Sequence, residues 1–352
     1  MVGADEPRGH AEVVRGLWRA RQRRRLSHAL LFVGPAGVGK FRAARWFARG
    51  LFCEALATAE DPREPCGTCG PCRRFLAGSH PDLLVVDPRE RELEELPVAA
   101  ISPRRGDDRW RGPTVTEFLA LRAAEGGARV VLLREFERAN EEAQNALLKT
   151  LEEPGADSVL VLESSRPDLL LETVRSRCVP VRLAGLTEED ARAVLAEAGH
   201  AALDPQLLRW AEGSPGRALQ LERQSLLGQR GVLEAALRGQ LDPIEASGRI
   251  AELEGEFEGR TAAAQARERA RAVLDLVLAV LSDGVRHASG VPAEDLVHGD
   301  LATLAAGRAS TWSRALERLL VLRGDVELNL APESLYDRAF LALPRPARVR
   351  GA

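Results

Sequence analysis

Four short apolar runs punctuate the first half of the chain: HALLFV (His28–Val33), DLLVVD (Asp82–Asp87), ARVVLLRE (Ala128–Glu135) and SVLVLESS (Ser158–Ser165). Each is nearly unbroken in Leu, Val and Phe, the pattern of strands buried on both faces rather than on one. Helical spacing fills the gaps. FRAARWFARGLF places Phe41, Ala44, Phe47, Ala48 and Leu51 on one face, and NEEAQNALLKTLEEP runs as a helix to Pro154. In the latter, Ala146, Leu147, Leu148 and Leu151 read as core, while Asn145 and Lys149 share a polar face. Alternating strands and helices predict a parallel sheet covered on both sides. Residues 88–113 are charged, Pro- and Gly-containing and aperiodic, and are expected to form a mobile surface loop.

The second half changes period. After VPVRLAGLT, Thr187 followed by Glu188, Glu189 and Asp190 predicts a capped helix start with an acidic first turn. Helical patterns then continue to the end. ARAVLDLVLAVLSDGVR sets Val273, Leu276, Val277, Val280 and Leu281 on one stripe, and STWSRALERLLVLRGDVELNL repeats the pattern. These patterns predict a sheet domain over residues 1–182, a small helical segment over 183–228 and packed helices over 229–352.

Composition adds limits. The 352 residues are 45% apolar and 29% charged with a net charge of −3, so the chain as a whole carries no polyanion-binding signature. No apolar run reaches the ~20 residues that span a bilayer. The opening MVGADEPRGHAEVV lacks a basic segment followed by an apolar core, and the cytoplasm is the expected location. Only two of the 49 basic residues are lysine, Lys40 and Lys149, which makes the position of each informative.

Lys40 closes the stretch GPAGVGKF. Gly34, Gly39 and Lys40 fit a phosphate-binding loop, and the strand before and helix after supply its context of backbone N–H groups facing an anion. Phe41 stands where the pattern requires a magnesium-binding hydroxyl. The strand VVLL ends in Arg134-Glu135, so a cation replaces the carboxylate that would hold the metal, while Glu135 keeps the water-activating position. The scaffold of a nucleotide switch is present without the means to hold magnesium. ATP hydrolysis is not expected, and ATP or ADP binding stays open.

Four of the five cysteines cluster as Cys53, Cys66, Cys69 and Cys72. Four thiolates at this spacing suit a tetrahedral structural zinc ion with no open position for chemistry. An iron–sulfur cluster is the alternative, and disulfides are disfavoured in a reducing cytoplasm.

The order SHALLFVGPAGVGK, cysteine cluster, GSHPDLLVVD, NALLKTLEEP and RSRC resembles the delta prime family of bacterial DNA polymerase III clamp-loader subunits, of the AAA+ class and related to gamma/tau. The resemblance covers roughly residues 10–182. It implies an α/β AAA+ fold with a RecA-like parallel sheet and an inserted zinc module at 53–72, followed by a helical lid and a helical collar for oligomerisation. The family's hydrolysing relatives carry a complete loop and an Asp-Glu pair, and the departures at Phe41 and Arg134 match the branch in which these decay. Ser176, Arg177 and Cys178 form the family's SRC motif, whose arginine reaches the ATP of a neighbouring subunit. Ser164-Ser165 stands at the family's polar sensor position, and GSPGRAL, bearing Arg217, resembles its second sensor region. The implied partners are gamma/tau and delta in a pentamer, with the beta sliding clamp and primer-template DNA reached through the complex. A catalytically active gamma/tau-type ATPase and a free-standing zinc-dependent DNA-binding protein are the competing readings.

Overall fold

The computed structural model describes residues 6–60, 64–91, 93–104, 110–125, 127–155, 157–257, 259, 261–304, 309–326 and 331–344. The expected zinc module, the 88–113 stretch and the carboxyl-terminal helices therefore each include a few positions outside the described residues. Two compact units result: one holds the chain through Ala201 together with Gly213–Gly216, the other Ala202–Glu212 and everything from Arg217.

Among the described residues, five strands build the first unit: β1 (Ala29–Val33), β2 (Leu83–Val86), β3 (Arg129–Leu133), β4 (Ser158–Ser164) and β5 (Val179–Arg182). All neighbours pair in parallel, in the order β2-β3-β4-β1-β5. Every residue of β3 and β4 is buried, which explains the apolar runs Val130–Leu133 and Val159–Leu162 within them. β5 escapes periodicity because VPVR is short and contains Pro180; as an edge strand against β1 it tolerates the missing donor.

The order of the sheet is what positions the site. β4 lies between β1 and β3, with Val33 beside Ser164 and Leu133 beside Leu162. The carboxyl ends of three strands distant in sequence thus converge, the place where open parallel sheets bind ligands.

Residues 93–101 depart from the surface loop expected for 88–113. Leu96 is fully buried, the short helix Val98–Ile101 is buried along its whole length, and Trp110 joins the same core. Leu96 N–H donates to Arg138 O at 2.8 Å, tying the segment beside the end of β3. Four apolar residues are too few to show a period, so only packing against the sheet reveals them as core.

The second unit is helical. Its longest helix, Ala262–Ala288, buries Val273, Leu276, Val277, Val280 and Leu281, the stripe read from the sequence, in one core with Trp312, Tyr336 and Phe340. Arg217 lies in this unit, on the helix Pro215–Arg223.

Candidate functional site

The loop between β1 and the helix Lys40–Phe52 is shaped by close approaches. At Gly34 a Cβ would sit 2.1 Å from Leu183 O, so no side chain fits where the loop passes the end of β5. Gly39 adopts φ 102° at the helix N-cap, a left-handed conformation that favours glycine. Three outside groups hold the loop's carbonyls. His10 Nε2 lies 3.2 Å from Val38 O, Gly216 N–H donates to Gly37 O at 3.0 Å, and the buried Ser214 hydroxyl donates to Ala36 O. Burial holds His10 below the ordinary imidazole range, and a neutral ring suits its place.

Lys40 is almost wholly buried, its side chain 2% exposed. Its Nζ donates to Ser165 Oγ at 2.7 Å and Pro35 O at 2.8 Å, and lies 3.3 Å from Glu163 Oε1. Burial pushes the Glu163 carboxyl up, opposed chiefly by the charge of Lys40. Glu163 also accepts the backbone N–H of Glu135 at 3.1 Å, linking β4 to the residue after β3. Glu163 is the functional residue that the pattern of apolar runs passes over. A carboxylate inside SVLVLESS was the available signal, because a buried charge in a strand requires a partner.

At the magnesium corner the two departures from the motif meet. The Arg134 guanidinium carbon is 4.8 Å from the Phe41 ring centroid, and Arg134 Nη1 donates to Asp87 Oδ2 at 2.7 Å. Asp87, at the end of β2, is buried, and its other oxygen accepts Arg89 N–H at 2.9 Å. Glu135 adopts φ 47° and pairs with Arg89 and Arg138 at 2.5 and 2.7 Å. A ring and a guanidinium thus occupy the positions from which a hydroxyl and a carboxylate would hold a metal. The residues present do not fit a magnesium ion.

The four thiols are different. The ligand sulfurs of Cys53, Cys66, Cys69 and Cys72 all lie within 4.8 Å of one another. Tetrahedral zinc thiolates stand ~2.3 Å from the ion and hence roughly 3.8 Å apart, so the cluster fits a metal ion with little movement. Cys66 N–H approaches Cys53 Sγ at 3.3 Å and Cys69 N–H approaches Cys66 Sγ at 3.4 Å, contacts that favour thiolate charge.

Arg177 sits apart from the loop, on the turn following the helix Glu172–Arg175. Its side chain is 35% exposed and rests on Glu152 Oε1 through Nη2 and Nε at 2.5 and 3.0 Å, with Nη1 donating to Thr173 O. Ser176 is exposed and donates to Thr173 O at 3.2 Å. Cys178 is buried in the sheet core, where desolvation pushes its thiol up to about 12. Asn145 and Lys149 are exposed on the helix Glu141–Glu152, whereas Gln144 is buried, bonding Ala139 O and Leu171 N.

These features define a phosphate-loop AAA+ fold with its metal corner rebuilt. Residues 9–187, just over half of the chain, match the family described as "DNA polymerase III, delta subunit". The chain belongs to this family of clamp-loader AAA+ proteins. It is 36% identical over 230 residues to the DNA polymerase III subunit delta' of Pseudomonas aeruginosa, covering 64% of this chain and 65% of that one. It is 32% identical over 166 residues to the delta' subunit of Bacillus subtilis, 47% of this chain and 45% of that one, and 33% identical over 249 residues to the tau subunit of Escherichia coli, 68% and 36%. The chain thus spans less than two thirds of the length of each. A gamma-subunit-related protein from Thermotoga maritima aligns over 92% of this chain and 97% of its own at 16% identity and a TM-score of 0.44, a likeness too distant to assign a role. Among the described residues no helix is long and apolar enough to cross a membrane.

Proposed function

We propose that this chain is a non-hydrolysing delta prime subunit of a bacterial clamp loader, which completes the ATP site of a neighbouring gamma/tau subunit with Arg177. The observation that carries the reading is the Arg134–Phe41 pair over Asp87, which puts a fixed cation and a ring where an ATPase keeps its metal ligands. Without a held metal, the chain's own site lacks the ion on which nucleotide hydrolysis in such loops depends. Arg177 suits work in trans: it is partly exposed, permanently charged, and held by an exposed carboxylate that a phosphate can replace.

In this reading the subunit is a fixed element of a pentamer with gamma/tau and delta. ATP binding by the motor subunits drives loading of the beta sliding clamp onto primer-template DNA. The four cysteines hold structural zinc, which pins the excursion between the helices Lys40–Phe52 and Gly70–Leu76 and supplies no chemistry. The lid and collar correspond to 183–228 and 229–352.

The test is turnover by the purified chain with ATP and magnesium. The expected rate is background. Turnover that Lys40→Ala abolishes would overturn the reading in favour of a gamma/tau-type motor.

A further inference from the structure

The loop after β1, the carboxyl ends of β3 and β4 and the helices Lys40–Phe52 and Gly70–Leu76 border a cavity of about 580 Å³, whose lining among the described residues holds five arginines and Lys40 against Glu135 and Glu163. Such an imbalance in a concave site favours an anionic ligand. In a metal-dependent loop, a divalent ion bridges the phosphate oxygens at the corner that Phe41 and Arg134 occupy here. That corner keeps a positive charge, now carried by the protein. The guanidinium is placed twice over, by Asp87 at 2.7 Å and by the face of the Phe41 ring at 4.8 Å. An aromatic face attracts a cation, whereas the serine or threonine of the motif would instead ligate a metal. The exchange of hydroxyl for ring and of carboxylate for guanidinium is therefore a matched pair of changes. The planar fork has five N–H donors and meets phosphate oxygens two at a time.

We propose that this pocket takes an oligophosphate, free or carried by a nucleotide, without a divalent metal, Arg134 standing in the metal's place. The inference shares with the reading above only the loss of magnesium and does not involve Arg177. Lys40 is already oriented at the helix start by Ser165 and Pro35, and Glu163 balances its charge until a phosphate arrives. A magnesium-bound phosphate would bring a second cation against Arg134, so added metal weakens binding or leaves it unchanged.

Isothermal titration of the full chain with ATP, and in a second arm with sodium triphosphate, tests this in buffer freed of divalent ions before the protein is added. Removing ions beforehand leaves the metal of the cysteine cluster undisturbed. ATP is expected to saturate the chain, with a dissociation constant no larger than in magnesium. Saturation by triphosphate as well assigns recognition to the phosphates alone; saturation by ATP only makes the nucleotide the carrier. Arg134→Ala is expected to weaken metal-free binding about tenfold or more, and Arg134→Lys less, because lysine keeps the charge without the fork. Saturation that requires magnesium, failure of both ligands to bind, or an Arg134→Ala variant that binds like the wild type would overturn the proposal. The comparison with and without magnesium uses the unmodified chain, so it stands even if Arg134→Ala does not fold. Calorimetry reads binding by this chain, and the turnover assay reads hydrolysis, so each idea can fail alone.

Discussion

Arg134 lies over the ring of Phe41, its guanidinium carbon 4.8 Å from the ring centroid, while Nη1 reaches Asp87 at 2.7 Å. Two departures from a motif that are 93 positions apart (134 − 41) are one local structure. Either change alone would leave a half-built metal site, with a ring beside a carboxylate or a hydroxyl beside a cation. Together they satisfy each other.

Arg134→Ala is expected to lower stability by about 1–3 kcal/mol, because buried Asp87 loses its charge-assisted partner while the arginine itself is partly exposed. Urea unfolding of variant and wild type at neutral pH measures the difference. A change under ~0.5 kcal/mol would mean that water replaces the guanidinium at no cost.

Arg177→Ala should leave the chain folded and the complex assembled, since the partly exposed side chain rests on the exposed Glu152 carboxylate and the Thr173 carbonyl and fills no core position. The DNA-dependent ATPase of the reconstituted loader is expected to fall. A finger serving a single site is worth ~10³–10⁵ in rate, and one site among several yields a smaller overall loss. Normal ATPase and clamp-loading rates would take Arg177 out of the mechanism.

Metal analysis should find one zinc ion per chain, bound by Cys53, Cys66, Cys69 and Cys72. Prolonged chelation, or Cys66→Ser, is expected to lower the thermal midpoint by at least ~5 °C, because metal binding is folding energy for the segment it closes. Iron in place of zinc, with the absorption of a cluster, would revise the metal and leave the ligand set standing.

In the second unit, His298 is 3% exposed, and its backbone N–H donates to Asp283 at 2.7 Å. Burial first and the charge of Arg230 second hold its imidazole down to about 4, against the pull of Asp283 and Asp300. The folded state thus keeps the ring neutral while the unfolded chain takes up a proton below pH 6.5. Stability is lost as pH falls from that value through about 4, by up to roughly 3 kcal/mol. Urea titrations at pH 7 and pH 4.5 should show a smaller loss for His298→Gln than for the wild type. Equal losses would place the acid sensitivity elsewhere.

The strands β1 to β4, the loop helix, the cysteine cluster and the long helix Ala262–Ala288 were legible in the chain because each is announced within a few consecutive residues. Apolar runs report burial, period 3.6 reports a helix face, and short thiol spacings report a shared ligand. Tertiary structure decided the rest. The order β2-β3-β4-β1-β5 set Asp87, Arg134 and Glu163 from three strand ends beside Lys40 at the start of the helix that follows β1, and packing alone turned the stretch around Ile101 from loop into core. No local pattern carries such facts, because strand neighbours are chosen by backbone pairing and crossover geometry over long separations in sequence. A charge among apolar residues tells the reader that a partner exists; only the folded sheet says which one.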